Sequence, residues 1–217
     1  MKNILVILGT RPEAIKLAPV ILELRKNPQY KVFVCNTEQQ KELSNQTLGF
    51  FGITADFYLD VMQPNQTLAG VQARILTSLS EVFQQYHFDA VIVQGDTMSV
   101  FCGALVAFYN KVPVFHVEAG LRSYDLFEPF PEEAIRQMVS RITSLHFAPT
   151  KKSFDCLCKE GIEQTKIEET GNTVIDALSC LSAETMDDAQ KQLETLGINL
   201  NHELVLVTAH RRENHGD

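Results

Sequence analysis

The sequence predicts an α/β fold built on an open, doubly wound parallel sheet, and three observations carry that reading. Short apolar, β-rich runs recur at residues 4–8, 32–35, 90–93, 114–117, 145–148 and 204–207, with a weaker one at 166–169. Longer helical stretches separate them, at 13–26, 38–51, 67–86, 98–110, 132–143, 151–160 and 172–184. The runs are continuous rather than alternating apolar with polar, as strands covered by helices on both faces must be. Regular strand–helix alternation then gives the two-sided sheet.

The first run starts directly after Met1-Lys2-Asn3. It is too short for a signal peptide or a membrane span and reads as a buried strand. No later segment is apolar enough to cross a bilayer. The first helix follows a turn in which Thr10 and Glu13 have capping-box spacing and Pro12 suits a first helical turn. The pattern holds to residue 182, so residues 1–182 read as one domain. Residues 183–202 are polar and charged, hold a short helix candidate at 187–196, and read as a hinge. Residues 203–217 read as the start of a second domain, opened by the strand at 204–207 and expected to stop short of completing it. A length of 217 residues suits one large domain and the beginning of another.

Composition narrows the partners. The apolar fraction is 45%, enough for a sizeable core. The formal net charge is −8, which repels a polyanion such as DNA or RNA, whereas a small phosphorylated ligand depends only on local cations. The five cysteines, at 35, 102, 156, 158 and 180, are odd in number and lack CxxC spacing. They fit reduced thiols in a cytoplasmic protein better than disulfides or a metal site.

Ligands of open α/β sheets sit beyond the carboxyl ends of the strands. After the first strand comes Gly9-Thr10-Arg11-Pro12-Glu13, where a helix N-terminus, Arg11 and Lys16 together suit an anion. The same residues also read as a well-capped helix with two solvated cations. Neither GxGxxG nor GxxxxGK[ST] is present, so there is no dinucleotide fingerprint or P-loop. After the strand at 90–93 comes Asp96, which taken alone is a helix cap. After 114–117 comes Glu118, at a strand end where propensity disfavours an acid. Glu132 and Glu133 open the next helix, where acids are ordinary dipole partners. Converging on one sheet edge, the three acids Asp96, Glu118 and Glu132 suit general acid–base work. His210, with Arg211 and Arg212, follows the last run and suits an anion or oxyanion. His116 lies inside a strand run and reads as a core histidine.

Six motifs, GTRPEAIKLAPVI (9–21), QGDTMSVFCGALVAFYNKVPVFHVEAGLRS (94–123), PFPEEAIRQ (129–137), HFAPT (146–150), TGNTVIDAL (170–178) and TAHRREN (208–214), run in order along the chain. Together they closely resemble the bacterial non-hydrolysing UDP-N-acetylglucosamine 2-epimerases. Pro12-Glu13-Ala14 follows that branch, since hydrolysing relatives differ after the arginine of the first motif. The resemblance implies the first half of a GT-B fold, two Rossmann-like domains facing across a cleft, and a homodimer formed through the N-terminal domain. It also implies interconversion of UDP-N-acetylglucosamine and UDP-N-acetylmannosamine for cell-surface polysaccharides, with neither NAD nor a metal. In that mechanism UDP is eliminated to leave 2-acetamidoglucal, then added back with C2 inverted. Asp96, Glu118 and Glu132 match the catalytic carboxylates. Arg11, Lys16 and His210 match the residues around the diphosphate, whose charge grows as the C1–O bond breaks.

The chain departs from the family pattern in two places. Ile135 stands where members usually carry Asn. Gln39-Gln40-Lys41 stands where many bacterial members have Gln-His-Arg, in part of a regulatory UDP-N-acetylglucosamine site. Gln39 is retained there, with Arg74 and Glu133 as candidate neighbours. A hydrolysing epimerase and a GT-B glycosyltransferase are the alternative activities. The family holds uracil and ribose mainly with its second domain, so the 217 residues alone are expected to bind UDP weakly and turn over little.

Overall fold

The computed structural model describes residues 1–180, 183–200 and 202–207. Among these residues, seven parallel strands run β1 (Lys2–Leu8), β2 (Tyr30–Asn36), β3 (Phe57–Tyr58), β4 (Ala90–Gln94), β5 (Val114–Val117), β6 (Leu145–Ala148) and β7 (Ile167–Glu169). Their order in the sheet is β3-β2-β1-β4-β5-β6-β7. The chain therefore winds outward one way from β1 and, after crossing to β4, outward the other way, as the doubly wound pattern predicts. The first six long helices are α1 (Arg11–Arg25), α2 (Lys41–Phe50), α3 (Leu68–Gln85), α4 (Met98–Tyr109), α5 (Glu132–Ile142) and α6 (Lys151–Lys159); α7 (Val174–Ser179) and α8 (Ala183–Thr195) follow.

Side-chain alternation divides β1 between two cores, which explains its unbroken apolar run. Leu5 and Ile7 face α3, α4 and α5, packing with Val91, Val93, Ile75, Leu79, Val100 and Val139. Ile4, Val6 and Leu8 face α1 and α2, with Leu17, Ile21 and Leu48. A third cluster, Ala119, Ala148, Leu157 and Ile167, seats α6 under the far end of the sheet. All five cysteines are free thiols. Among the described residues no helix is long and apolar enough to cross a membrane.

The structure divides into two compact units, Met1–Cys180 and Leu181–Asp217. Three details differ from the sequence reading. The strand β3 was not anticipated, because two residues are too few to show a period. The single helix expected over 172–184 is instead the short α7, with α8 starting at Ala183 and extending the helix expected at 187–196 toward the N-terminus. Residues 204–207 are not in a strand, and Leu204, Val205, Leu206 and Val207 are all exposed. A strand exists only through a neighbour that completes its ladder, and no described segment pairs with these four.

Candidate active site at the switch between β1 and β4

The floor of the site is made by the turns after β1, β4 and β5. After β1, Glu13 closes the capping box predicted from its spacing. Its Oε2 accepts from the Gly9 and Thr10 amides at 3.0 and 2.7 Å and from the Thr10 hydroxyl at 2.7 Å. Its Oε1 accepts from the Thr97 hydroxyl at 2.7 Å, joining the caps of α1 and α4. Glu13 is 2% exposed, and that burial pushes its carboxyl pKa above the usual value while the four donors pull it back.

After β4, Gly95 takes a φ of +83°, which a glycine tolerates without Cβ strain, and the chain turns to present Asp96. His116 holds that turn from beneath, its Nε2 lying 2.7 Å from the Gly95 carbonyl oxygen. The carbonyl can only accept, so Nε2 carries the proton, and the buried Nδ1 has no partner among the described residues. Burial lowers the His116 pKa to about 4. It is the core histidine the sequence suggested, and it also supports the turn that carries an acid.

After β5, Glu118 sits at φ +63°, an uncommon conformation for a residue with a Cβ and one that clusters at functional positions. Its Oε2 receives Lys16 Nζ at 2.5 Å and the amide of Gln94, and its Oε1 receives Asn172 Nδ2 at 3.1 Å. The next turn is fixed by buried Arg122, which forks onto Glu160 at 2.7 and 2.9 Å and donates to Ser140 at 2.7 Å.

These turns enclose an open hollow of about 320 Å³, lined among others by Glu13, Lys16, Gln94, Asp96, Glu118 and Arg136. Of the residues singled out from the sequence, Lys16, Asp96 and Glu118 come together there. Glu132 is half-buried on the first turn of α5 and does not line the hollow. Arg11 is exposed, with its backbone amide donating to Gln40 Oε1 at 3.1 Å. Gln39 accepts from Ser99 at 3.0 Å. Arg74 donates to the Val61 carbonyl at 2.7 Å and to Gln66, pinning the segment before α3. Glu133 is fully buried and accepts from the Ser123 and Tyr124 amides at 3.0 and 3.2 Å. His210 lies outside the described residues.

Sequence reasoning missed Gln94, Arg136 and Asn172. The i,i+3 spacing of Glu133 and Arg136 was a signal for the second. Nothing local pointed to the other two.

An acid-lined hollow at the switch point of a doubly wound parallel sheet, with a lysine inside it and a capped helix opening on it, places the chain among α/β proteins that bind a small ligand beyond the carboxyl ends of their strands. The family model described as UDP-N-acetylglucosamine 2-epimerase matches residues 22–217, and the chain belongs to that family. The UDP-N-acetylglucosamine 2-epimerase of Neisseria meningitidis is 47% identical over 99% of this chain, and that of Bacillus subtilis 44% over 99%. The crystal structure of the N. meningitidis UDP-GlcNAc 2-epimerase bound to UDP-GlcNAc superimposes with a TM-score of 0.91 at 48% identity and 100% coverage of this chain. This chain spans 59% and 55% of the two curated relatives and 59% of that crystallised chain.

Proposed function

We propose that the complete protein interconverts UDP-N-acetylglucosamine and UDP-N-acetylmannosamine by the non-hydrolysing route. A base removes the C2 proton, the C1–O bond breaks with its electron pair leaving on UDP, and 2-acetamidoglucal remains. A proton then returns to the opposite face of C2 while a UDP oxygen re-forms the bond to C1. The observation that carries this reading is the meeting of Asp96, Glu118 and Lys16 in one hollow. Two acids there give the proton chemistry more than one carboxyl group, and a cation beside them suits the growing negative charge of the departing diphosphate. Family membership and the UDP-GlcNAc-bound relative support the substrate class.

In this reading Asp96, Glu118 and Glu132 are the carboxylates, and Arg11, Lys16 and His210 surround the diphosphate. The protein acts as a homodimer and uses neither NAD nor a metal. Residues 1–182 form the carboxylate-bearing domain, 183–202 the connection, and 203–217 the entry to a second domain that grips the nucleotide. The 217 residues alone therefore turn over little. Gln39, Arg74 and Glu133 stand in the region of the family's regulatory nucleotide-sugar site, and with Gln40-Lys41 in place of His-Arg no activation by substrate is expected there.

The test is incubation of the complete protein with UDP-N-acetylglucosamine in deuterated water. Deuterium should appear at C2 of both UDP-sugars, with UDP remaining attached to sugar in the final mixture. Absence of label rejects the reading, and accumulation of free UDP with free N-acetylmannosamine replaces it with the hydrolysing one.

A further inference from the structure

We infer that Arg136 is a positioning residue that ties Asp96 to a buried anchor, Glu133, and so fixes where that carboxylate stands in the hollow. The inference rests on the proposed C2 chemistry. Arg136 lies on the first turns of α5, three residues after Glu133 and four after Glu132, so both glutamates are neighbours on the helix surface. Its guanidinium engages only one of them. Nη1 lies 3.3 Å from Glu133 Oε2, while Nε and Nη2 lie 2.8 and 2.7 Å from Asp96 Oδ2, forty residues away in sequence on the turn after β4.

The anchor is rigid. Glu133 is buried and accepts from two backbone amides, of Ser123 and Tyr124, and from Gln137 Nε2 at 2.9 Å. These bonds and its contact with Arg136 hold its carboxyl below the ordinary pKa despite the burial. An anion so fixed holds one arm of the guanidinium fork, and the planar fork then dictates where the other two nitrogens lie. Asp96 is thus held through one oxygen, and among the described residues its Oδ1 has no hydrogen-bond partner. One oxygen is clamped and the other remains free to accept, on a residue that lines the hollow. The same device leaves Glu132 without an ion pair among the described residues, so its carboxyl is not tethered to the cation one turn away.

Lysine at this position would keep the charge but lose the fork, and methionine would lose both. A displacement of about 1 Å at a reacting group can cost on the order of 100-fold in rate. In the complete protein, Arg136→Met should slow C2 deuterium exchange about 100-fold, and Arg136→Lys about tenfold. Calorimetry should find the dissociation constant of UDP within about threefold of the parent, because a positioning residue acts on Asp96 rather than on the nucleotide. Arg136→Lys keeps the charge beside buried Glu133 and decides the matter if the methionine variant does not fold. Unchanged exchange in these variants overturns the inference. So does a loss of UDP affinity in step with the loss of rate, which would make Arg136 a nucleotide contact. A parent protein that exchanges no label rejects the function itself.

Discussion

Two glutamates border the same hollow and live under different rules. Glu13 is sealed in, and its four donors are two backbone amides and two hydroxyls, all uncharged. Three of the four come from within four residues of it. Glu118 is half-buried at a left-handed backbone position, and its partners are an ammonium and two amide side chains from α1, β4 and the turn before α7. The first arrangement satisfies backbone donors that a helix start would otherwise leave unpaired. The second gathers long-range donors around a carboxylate that remains accessible and does nothing for the local backbone. Both acids line one hollow, and the range and kind of their partners separate a helix cap, Glu13, from the carboxylate proposed to react, Glu118.

The comparison is broken most directly at Glu118. Glu118→Gln should lower C2 exchange about 1,000-fold, the scale of a lost general acid or base, while UDP affinity and the urea midpoint stay close to the parent. A large fall in the midpoint would put Glu118 in the same structural role as Glu13. Glu13→Ala should do the reverse. It strands two backbone amides at a buried helix start and should cost about 3 kcal/mol of folding stability, read from chemical denaturation. Stability within a few tenths of a kcal/mol of the parent would show that the cap is dispensable.

Acid pH sharpens the contrast from below, through the histidine under Asp96. Burial holds the His116 imidazole at about 4, below its ordinary 6.5, so the unfolded chain takes up the proton first. The contribution to stability is whole above about pH 6.5 and is lost as pH falls from there toward 4, up to roughly 3 kcal/mol. Burial lowers the His146 pKa as well, which adds to the loss in the same direction. Urea midpoints from pH 7 to 4.5 should fall accordingly, and His116→Gln should flatten the slope. An unchanged slope in that variant would assign the acid sensitivity elsewhere.

Much of the frame was legible in advance. Six of the seven strands and the first six long helices follow from runs and amphipathic stretches, and Thr10, Pro12 and Glu13 announced their cap by spacing alone. Asp96 and Glu118 were legible as acids placed where strands end. Arg136 was half legible, because its spacing to Glu133 is a helix pair but its longer reach to Asp96 is not. Gln94 and Asn172 carried no signal, since an amide beside a strand or before a helix is ordinary in any sequence.

What the sequence alone determined is whatever depends on neighbours a few residues apart: strand and helix placement, the first helix cap, and which acids stand at strand ends. The tertiary structure alone decided who meets Glu118. Its partners lie 102, 24 and 54 positions away and converge because β1 pairs with β4 and β4 with β5. The physical reason is one of range. Backbone geometry fixes contacts within a turn of helix or a step of strand, whereas a charge pair across three elements exists only after strand order and packing have set the distances between them.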